Sequence, residues 1–139
     1  MGRARVLLAG TQQAIDTLHS ILGDELELIE ARSIDEALAR LDSGIDLIIC
    51  SVRFDESRMF NFLQALHERS DTRGIPVICC RTAPEALSRE VRRAVEMALQ
   101  ALGVGTFIDL AALREQFDES IAGETLRQLA ADRLRGQRT

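Results

Sequence analysis

The sequence predicts an α/β domain built on a parallel sheet, with helices on both faces. Three observations predict it. Short apolar runs recur at intervals of about 20 to 30 residues, the spacing of strands joined by crossover helices. The segments between them carry apolar residues at helical period. The chain has 139 residues, 46% apolar and 28% charged, which suffices for one domain with a real core.

Val6-Leu7-Leu8-Ala9 is a continuous apolar run that stops at Gly10, as suits a strand buried on both faces. Thr11 opens a helix with Ile15, Leu18 and Leu22 on one face, and Gly23 closes it. Glu25–Ala31 alternates like a strand near a sheet edge. Ser33-Ile34-Asp35-Glu36 is a capping box, in which hydroxyl and carboxylate can satisfy free N–H groups reciprocally. Ile34, Ala37, Leu38 and Leu41 follow as a helical stripe, ended by Asp42-Ser43-Gly44. Ile45–Cys50 is the third strand, and Ser51–Arg58 reads as a polar loop. Met59, Phe62, Leu63 and Leu66 mark the next helix, with a loop at Ser70–Gly74.

Pro76–Cys80 is the fourth strand, with proline only at its first position, where it is tolerated. Thr82-Ala83-Pro84-Glu85 supplies a cap with proline in the first turn. A long fourth helix follows, with Leu87, Val91, Val95, Ala98 and Leu102 inward and Arg89, Arg92, Arg93 and Glu96 outward. Gly103 is its expected stop, and Thr106-Phe107-Ile108 a brief fifth strand. Leu113, Phe117 and Ile121 mark a last helix. Gly123 interrupts its pattern, and Glu124–Arg135 is a further helix or a bent continuation. Residues 1–122 are expected to form the domain, and 123–139 a helical C-terminal extension packed on it or projecting from it.

Composition excludes several functions. All 17 basic residues are arginine; lysine is absent, as are Trp and Tyr. Schiff-base chemistry and a P-loop lysine are therefore excluded. The net charge of −5 argues against a nucleic-acid partner, which needs clustered positive charge. No apolar stretch approaches the ~20 residues of a membrane span. Three cysteines, Cys50, Cys79 and Cys80, lie inside apolar runs and make no disulfide framework. A cytoplasmic setting fits them. Cys79 and Cys80 point to opposite sheet faces, whereas Cys50 and Cys80 approach each other if their strands are neighbours. His19 and His67 fall within helices, away from the strand ends, and leave Ser51 without a base. Gly103-x-Gly105 follows a helix, the wrong context for a dinucleotide fingerprint. With no nucleophile–base pair and no Gly-rich cofactor loop, no enzyme, cofactor or metal site is expected.

In parallel sheets ligand sites lie at the carboxyl ends of the strands. The residues there carry a family resemblance. Asp46-Leu47-Ile48-Ile49-Cys50-Ser51-Val52-Arg53 resembles the third strand of response-regulator receiver domains, Ile75-Pro76-Val77-Ile78 their fourth, and Gly103-Val104-Gly105-Thr106-Phe107-Ile108 the run into their fifth. The resemblance covers roughly Arg5 to Ala122 and implies a three-layer flavodoxin-like (βα)5 fold with strand order 2-1-3-4-5. Receivers hold Mg²⁺ with an acidic pair after the first strand; Gly10 and Thr11 stand there. Their phosphoaccepting Asp falls on Ser51, their switch hydroxyl on Arg81 and their lysine on Leu110. The missing lysine is independent of alignment, since no Lys exists to shift into place.

Aspartyl phosphorylation needs a carboxylate nucleophile and a divalent cation, and a hard cation wants several carboxylate or carbonyl oxygens. Gly10, Thr11 and Ser51 supply no negative charge, and Arg81 and Arg53 disfavour Mg²⁺; Asp55 and Asp109 are expected to pair with those arginines. The expectation is a pseudo-receiver: a phosphorylation-independent signalling domain that binds a protein partner or itself. The resemblance places that contact on the fourth helix, fifth strand and fifth helix, with Arg89, Arg92, Arg93, Glu96, Phe107, Leu113 and Phe117 as interface residues. The alternative is a sensor of a small anion or nucleotide at Gly10, Thr11, Ser51, Arg53 and Arg81, near a helix N-terminus.

Overall fold

Five strands of five residues each supply the sheet, and their side chains alternate between its two faces. The computed structural model describes residues 3–54, 58–72, 74–82, 88–102 and 105–137. Its strands are β1 (Arg5–Ala9), β2 (Glu27–Ala31), β3 (Leu47–Ser51), β4 (Val77–Arg81) and β5 (Gly105–Asp109). Its helices are α1 (Gln12–Leu22), α2 (Ile34–Arg40), α3 (Met59–Glu68), α4 (Arg89–Leu102), α5 (Leu110–Gln116) and α6 (Glu119–Gln137). All strand pairs are parallel, in the order β2-β1-β3-β4-β5. This is the predicted (βα)5 topology, with β2 at one edge as its alternation implied.

Leu7, Ile48, Cys50, Val77 and Cys79 face α2, α3 and α4. Val6, Leu8, Leu47, Ile49, Ile78 and Cys80 face α1, α5 and α6. Both faces are thus apolar, which explains why the central strands read as unbroken hydrophobic runs. Side-chain caps start several of the helices, though Arg58 before α3 supplies none. Thr11, Ser33 and Ser88 hydroxyls accept the N–H groups of Ala14, Glu36 and Val91 at 3.2, 3.1 and 3.1 Å.

Several sequence expectations are corrected. Ser51–Arg58 is not simply a polar loop, because Phe54 is fully buried and meets Phe62 edge-on at 5.1 Å. Val91 is not inward: it is 43% exposed, while Val95 and Leu99 carry the buried face of α4. The last helical stretch breaks at Phe117–Asp118, not at Gly123. There Asp109 caps α5 and Asp118 caps α6, accepting the Ala112 and Ile121 N–H groups at 3.0 and 2.8 Å. Phe117 and Ile121, expected in one helical stripe, sit on either side of that break and are exposed. The expected cap beyond Thr82, the inward Leu87 and the stop at Gly103 lie outside the described residues.

Gly123 continues α6 and leaves space for a long side chain. A Cβ there would lie 3.3 Å from the Arg127 guanidinium, which donates to the Ile21 carbonyl at the end of α1 at 3.0 Å. Ala122, Leu126, Ala130 and Leu134 of α6 are buried in the same cluster as Ile15 and Leu18 of α1. The last helix therefore covers the first.

Candidate functional site

Beta strands β1, β3 and β4 end side by side, with Ala9 opposite Cys50 and Ser51 opposite Cys80. The chain leaves β1 through Gly10, whose N–H reaches the Ala31 carbonyl at 3.0 Å. A Cβ at Gly10 would lie 3.0 Å from Ser51 Oγ, 3.3 Å from Ser51 Cβ and 3.2 Å from Ala14 Cβ. The bare glycine is what lets the Ser51 side chain occupy this place. Ser51 is 2% exposed, and its Oγ has no hydrogen-bond partner among the described residues.

Beside it opens a cavity of about 130 Å³, lined by Thr11, Gln13, Ser51, Arg53, Arg81 and Thr82, with Val52. Arg81 is tied to Asp109: its Nε lies 3.0 and 3.1 Å from the two carboxylate oxygens, and the side chains are 16% and 12% exposed. That is one of the pairings the sequence implied; Asp55 lies outside the described residues. Arg114 holds the Thr82 carbonyl at 2.9 Å.

Gly10, Thr11, Ser51, Arg53 and Arg81 thus converge. Leu110 does not: it is fully buried among the residues facing α1 and α6. The sequence reading left Gln13 out of the site and took Thr82 as a helix cap. Gln13 was findable, since the first turn of a helix that follows a strand begins at the carboxyl rim of such a sheet.

Among the described residues the donor set does not fit a Mg²⁺ ion: none of the lining side chains is a carboxylate, both Asp109 oxygens face Arg81, and one also accepts the Ala112 N–H. Hydroxyls beside arginines do not replace the carboxylate or carbonyl oxygens a hard cation takes. Among the described residues no group of three or more His, Cys, Asp or Glu could hold a metal ion.

Cysteine placement corrects another expectation. The strand register sets Cys50 opposite Cys79, on one face, and puts Cys80 on the other. Cys50 therefore neighbours Cys79 rather than Cys80. Cys79 Sγ lies 2.9 Å from Met59 Sδ. The Cys50 side chain and burial push the Cys79 thiol well above its ordinary range, and burial pushes Cys80 up. Thiols held protonated and buried act as packing, not as nucleophiles.

The second candidate region flanks the edge strand β5. Arg92 stacks over Phe107 at 5.2 Å and pairs with Glu96 at 3.2 Å. With Leu99, Gln100 and Gly105 they line an open groove of about 380 Å³. Gly105 is required here, because a Cβ would lie 2.7 and 2.9 Å from Leu99 Cβ and Cα. From the other side of β5, Arg133 of α6 donates to Thr106. Arg89 and Arg93 are exposed on α4. Leu113 packs on the opposite sheet face, and Phe117 is 58% exposed at the bend between α5 and α6.

No family model and no curated protein matches the chain. Solved structures do. A CheY-like response regulator receiver domain protein from Methanospirillum hungatei is 17% identical, with a TM-score of 0.72, covering 99% of this chain and 98% of that one. The phosphorylated cyanobacterial phytochrome response regulator RcpA is 16% identical, with a TM-score of 0.69, covering 92% and 91%. Chemotaxis response regulator CheY4 of Vibrio cholerae is 20% identical, with a TM-score of 0.64, covering 91% and 98%.

The chain has the fold of response-regulator receivers, a flavodoxin-like fold whose neighbours here are signalling domains. Among the described residues no helix is long and apolar enough to cross a membrane.

Proposed function

We propose that this chain is a pseudo-receiver, a signalling domain that works without aspartyl phosphorylation and acts through protein contact. The observation that carries the reading is the set of side chains at the carboxyl ends of β1, β3 and β4. Glycine, two hydroxyls and an arginine–aspartate pair stand where phosphotransfer needs a carboxylate nucleophile and a bound cation. Acetyl phosphate or beryllofluoride with Mg²⁺ tests this. The expected result is no saturable change in amide chemical shifts; a saturable conformational response overturns it.

The contact surface in this reading runs along α4 and β5 toward α5 and α6. Arg89, Arg92, Arg93 and Glu96 give it charge, and Phe107, Leu113 and Phe117 its apolar part. Light scattering on the wild type and on Arg92→Glu/Arg93→Glu tests self-association. A dimer that the substitutions dissociate supports it. An indifferent monomer rejects self-association and leaves a different protein as the partner.

A further inference from the structure

Four of the five large apolar side chains exposed among the described residues fall in two places, α4 and the bend between α5 and α6. On α4, Met97 is 61% exposed, and Ala94 and Ala101 beside it on the helix surface are exposed as well. At the bend, Phe117 and Ile121 are 58% and 45% exposed. Single exposed apolar residues are ordinary, whereas apolar side chains grouped within a polar rim mark contact sites.

The charges at the two rims are opposite. Arg89, Arg93 and Met97 follow one another at single-turn spacing along the exposed side of α4. Neither arginine makes an ion pair among the described residues, whereas Arg92 pairs with Glu96. Glu90, at the start of the same stripe, offsets part of this charge. At the bend, Glu115 and Asp118 stand on either side of Phe117 in the chain, and neither meets a basic side chain among the described residues. Glu119 is taken by Arg114 at 2.8 Å and Glu124 by Arg127 at 3.0 Å.

The patches lie on opposite sides of the sheet. Helix α4 packs through Val95 and Leu99 on the face that carries Leu7 and Cys79. Met97 is two residues from each, which turns it to the far side of the helix. Helix α6 packs through Ala122 and Leu126 on the other sheet face, and Ile121 lies outside that buried stripe. One copy therefore offers a basic apolar patch in one direction and an acidic apolar patch in the other.

We propose that a second copy of this chain docks its α4 patch, Arg89, Arg93 and Met97, on the acidic bend around Phe117 and Ile121. The contact joins unlike surfaces, so it is head-to-tail. Each pair leaves one basic and one acidic patch open, and copies add until a ring closes or a filament grows. The inference rests on the protein contact proposed above and names its partner and its arrangement.

Light scattering and sedimentation of the full chain over a concentration series test it. The average mass should rise past the dimer, and added salt should move the rise to higher concentration, because exposed charges are screened. Arg93→Gln/Met97→Gln and Phe117→Gln/Ile121→Gln change only exposed side chains, and circular dichroism should show both variants folded. Each alone should associate about a hundredfold more weakly, the scale of two central contact residues. A one-to-one mixture of the two should regain association and stop at the dimer, since it holds one intact basic patch and one intact acidic patch. A wild-type mass that ends at the dimer overturns the proposal, as does association that either variant alone leaves intact, or a mixture that stays monomeric. A wild type that is monomeric up to millimolar concentration also overturns it, while contact with a different protein, the broader reading, still stands.

Discussion

At the strand carboxyl ends a glycine opens space, whereas beside β5 a glycine closes it. A Cβ on Gly10 would press on a serine side chain and an alanine methyl at 3.0–3.3 Å. A Cβ on Gly105 would run into the Leu99 side chain and backbone at 2.6–2.9 Å. One glycine yields its place to a buried serine side chain; the other seats α4 against the edge strand without slack. The difference teaches that glycine at two strand–helix junctions can make room for a single side chain in one case and for a whole helix in the other.

The comparison breaks most readily through its glycines. Gly105→Ala should cost about 2–3 kcal/mol in urea unfolding, the upper range for overpacking, while Gly10→Ala should cost about 1 kcal/mol. Equal losses would show that the two junctions do not differ. Arg81→Gln leaves Asp109 without its partner, and at this partial exposure the loss should be about 2 kcal/mol, below the range for fully buried pairs. A double-mutant cycle with Asp109→Asn should recover part of it.

The thiols sharpen the contrast by pH. Cys79 and Cys80 titrate above the ordinary 9.0 in the folded chain, so the unfolded chain loses those protons first. Their contribution is intact below the ordinary value and is lost as pH rises above it, by up to about 1.4 kcal/mol per thiol per unit. Denaturation at pH 8, 9 and 10 should show this slope, and Cys79→Ala/Cys80→Ala should flatten it. Least of all, Arg92→Ala should cost only about 0.5–1 kcal/mol through its exposed stack on Phe107. A larger loss would mean that Arg92 anchors α4 and is not simply a surface group.

Strand positions were legible because five apolar runs are bounded by polar or glycine residues, and both faces of the sheet are covered. The convergence of Gly10, Thr11, Ser51 and Arg81 was legible because each ends or follows a strand. Pairing of Cys50 with Cys79 was not, since it depends on a one-residue choice of register between two uniformly apolar strands. Phe54 looked like a loop residue because charged neighbours break its period, yet it packs edge-on against Phe62. The break at Phe117 was readable in principle from Asp118, a capping residue just before Glu119; Gly123 drew the boundary instead. That the Ser51 hydroxyl has no partner among the described residues could not be read from sequence, because it depends on which groups fail to reach it.

The reach of Arg127 to the Ile21 carbonyl spans 106 residues. On a ribosome adding about 5–20 residues per second, α1 waits on the order of 5–20 s before α6 exists to cover it. During that interval Ile15, Leu18 and Ile21 lack the apolar surface that later shields them. The layer formed by the first and last helices is therefore the late step of assembly, closing a long loop, and its unfinished state is the form of this chain most exposed to chaperones and to aggregation.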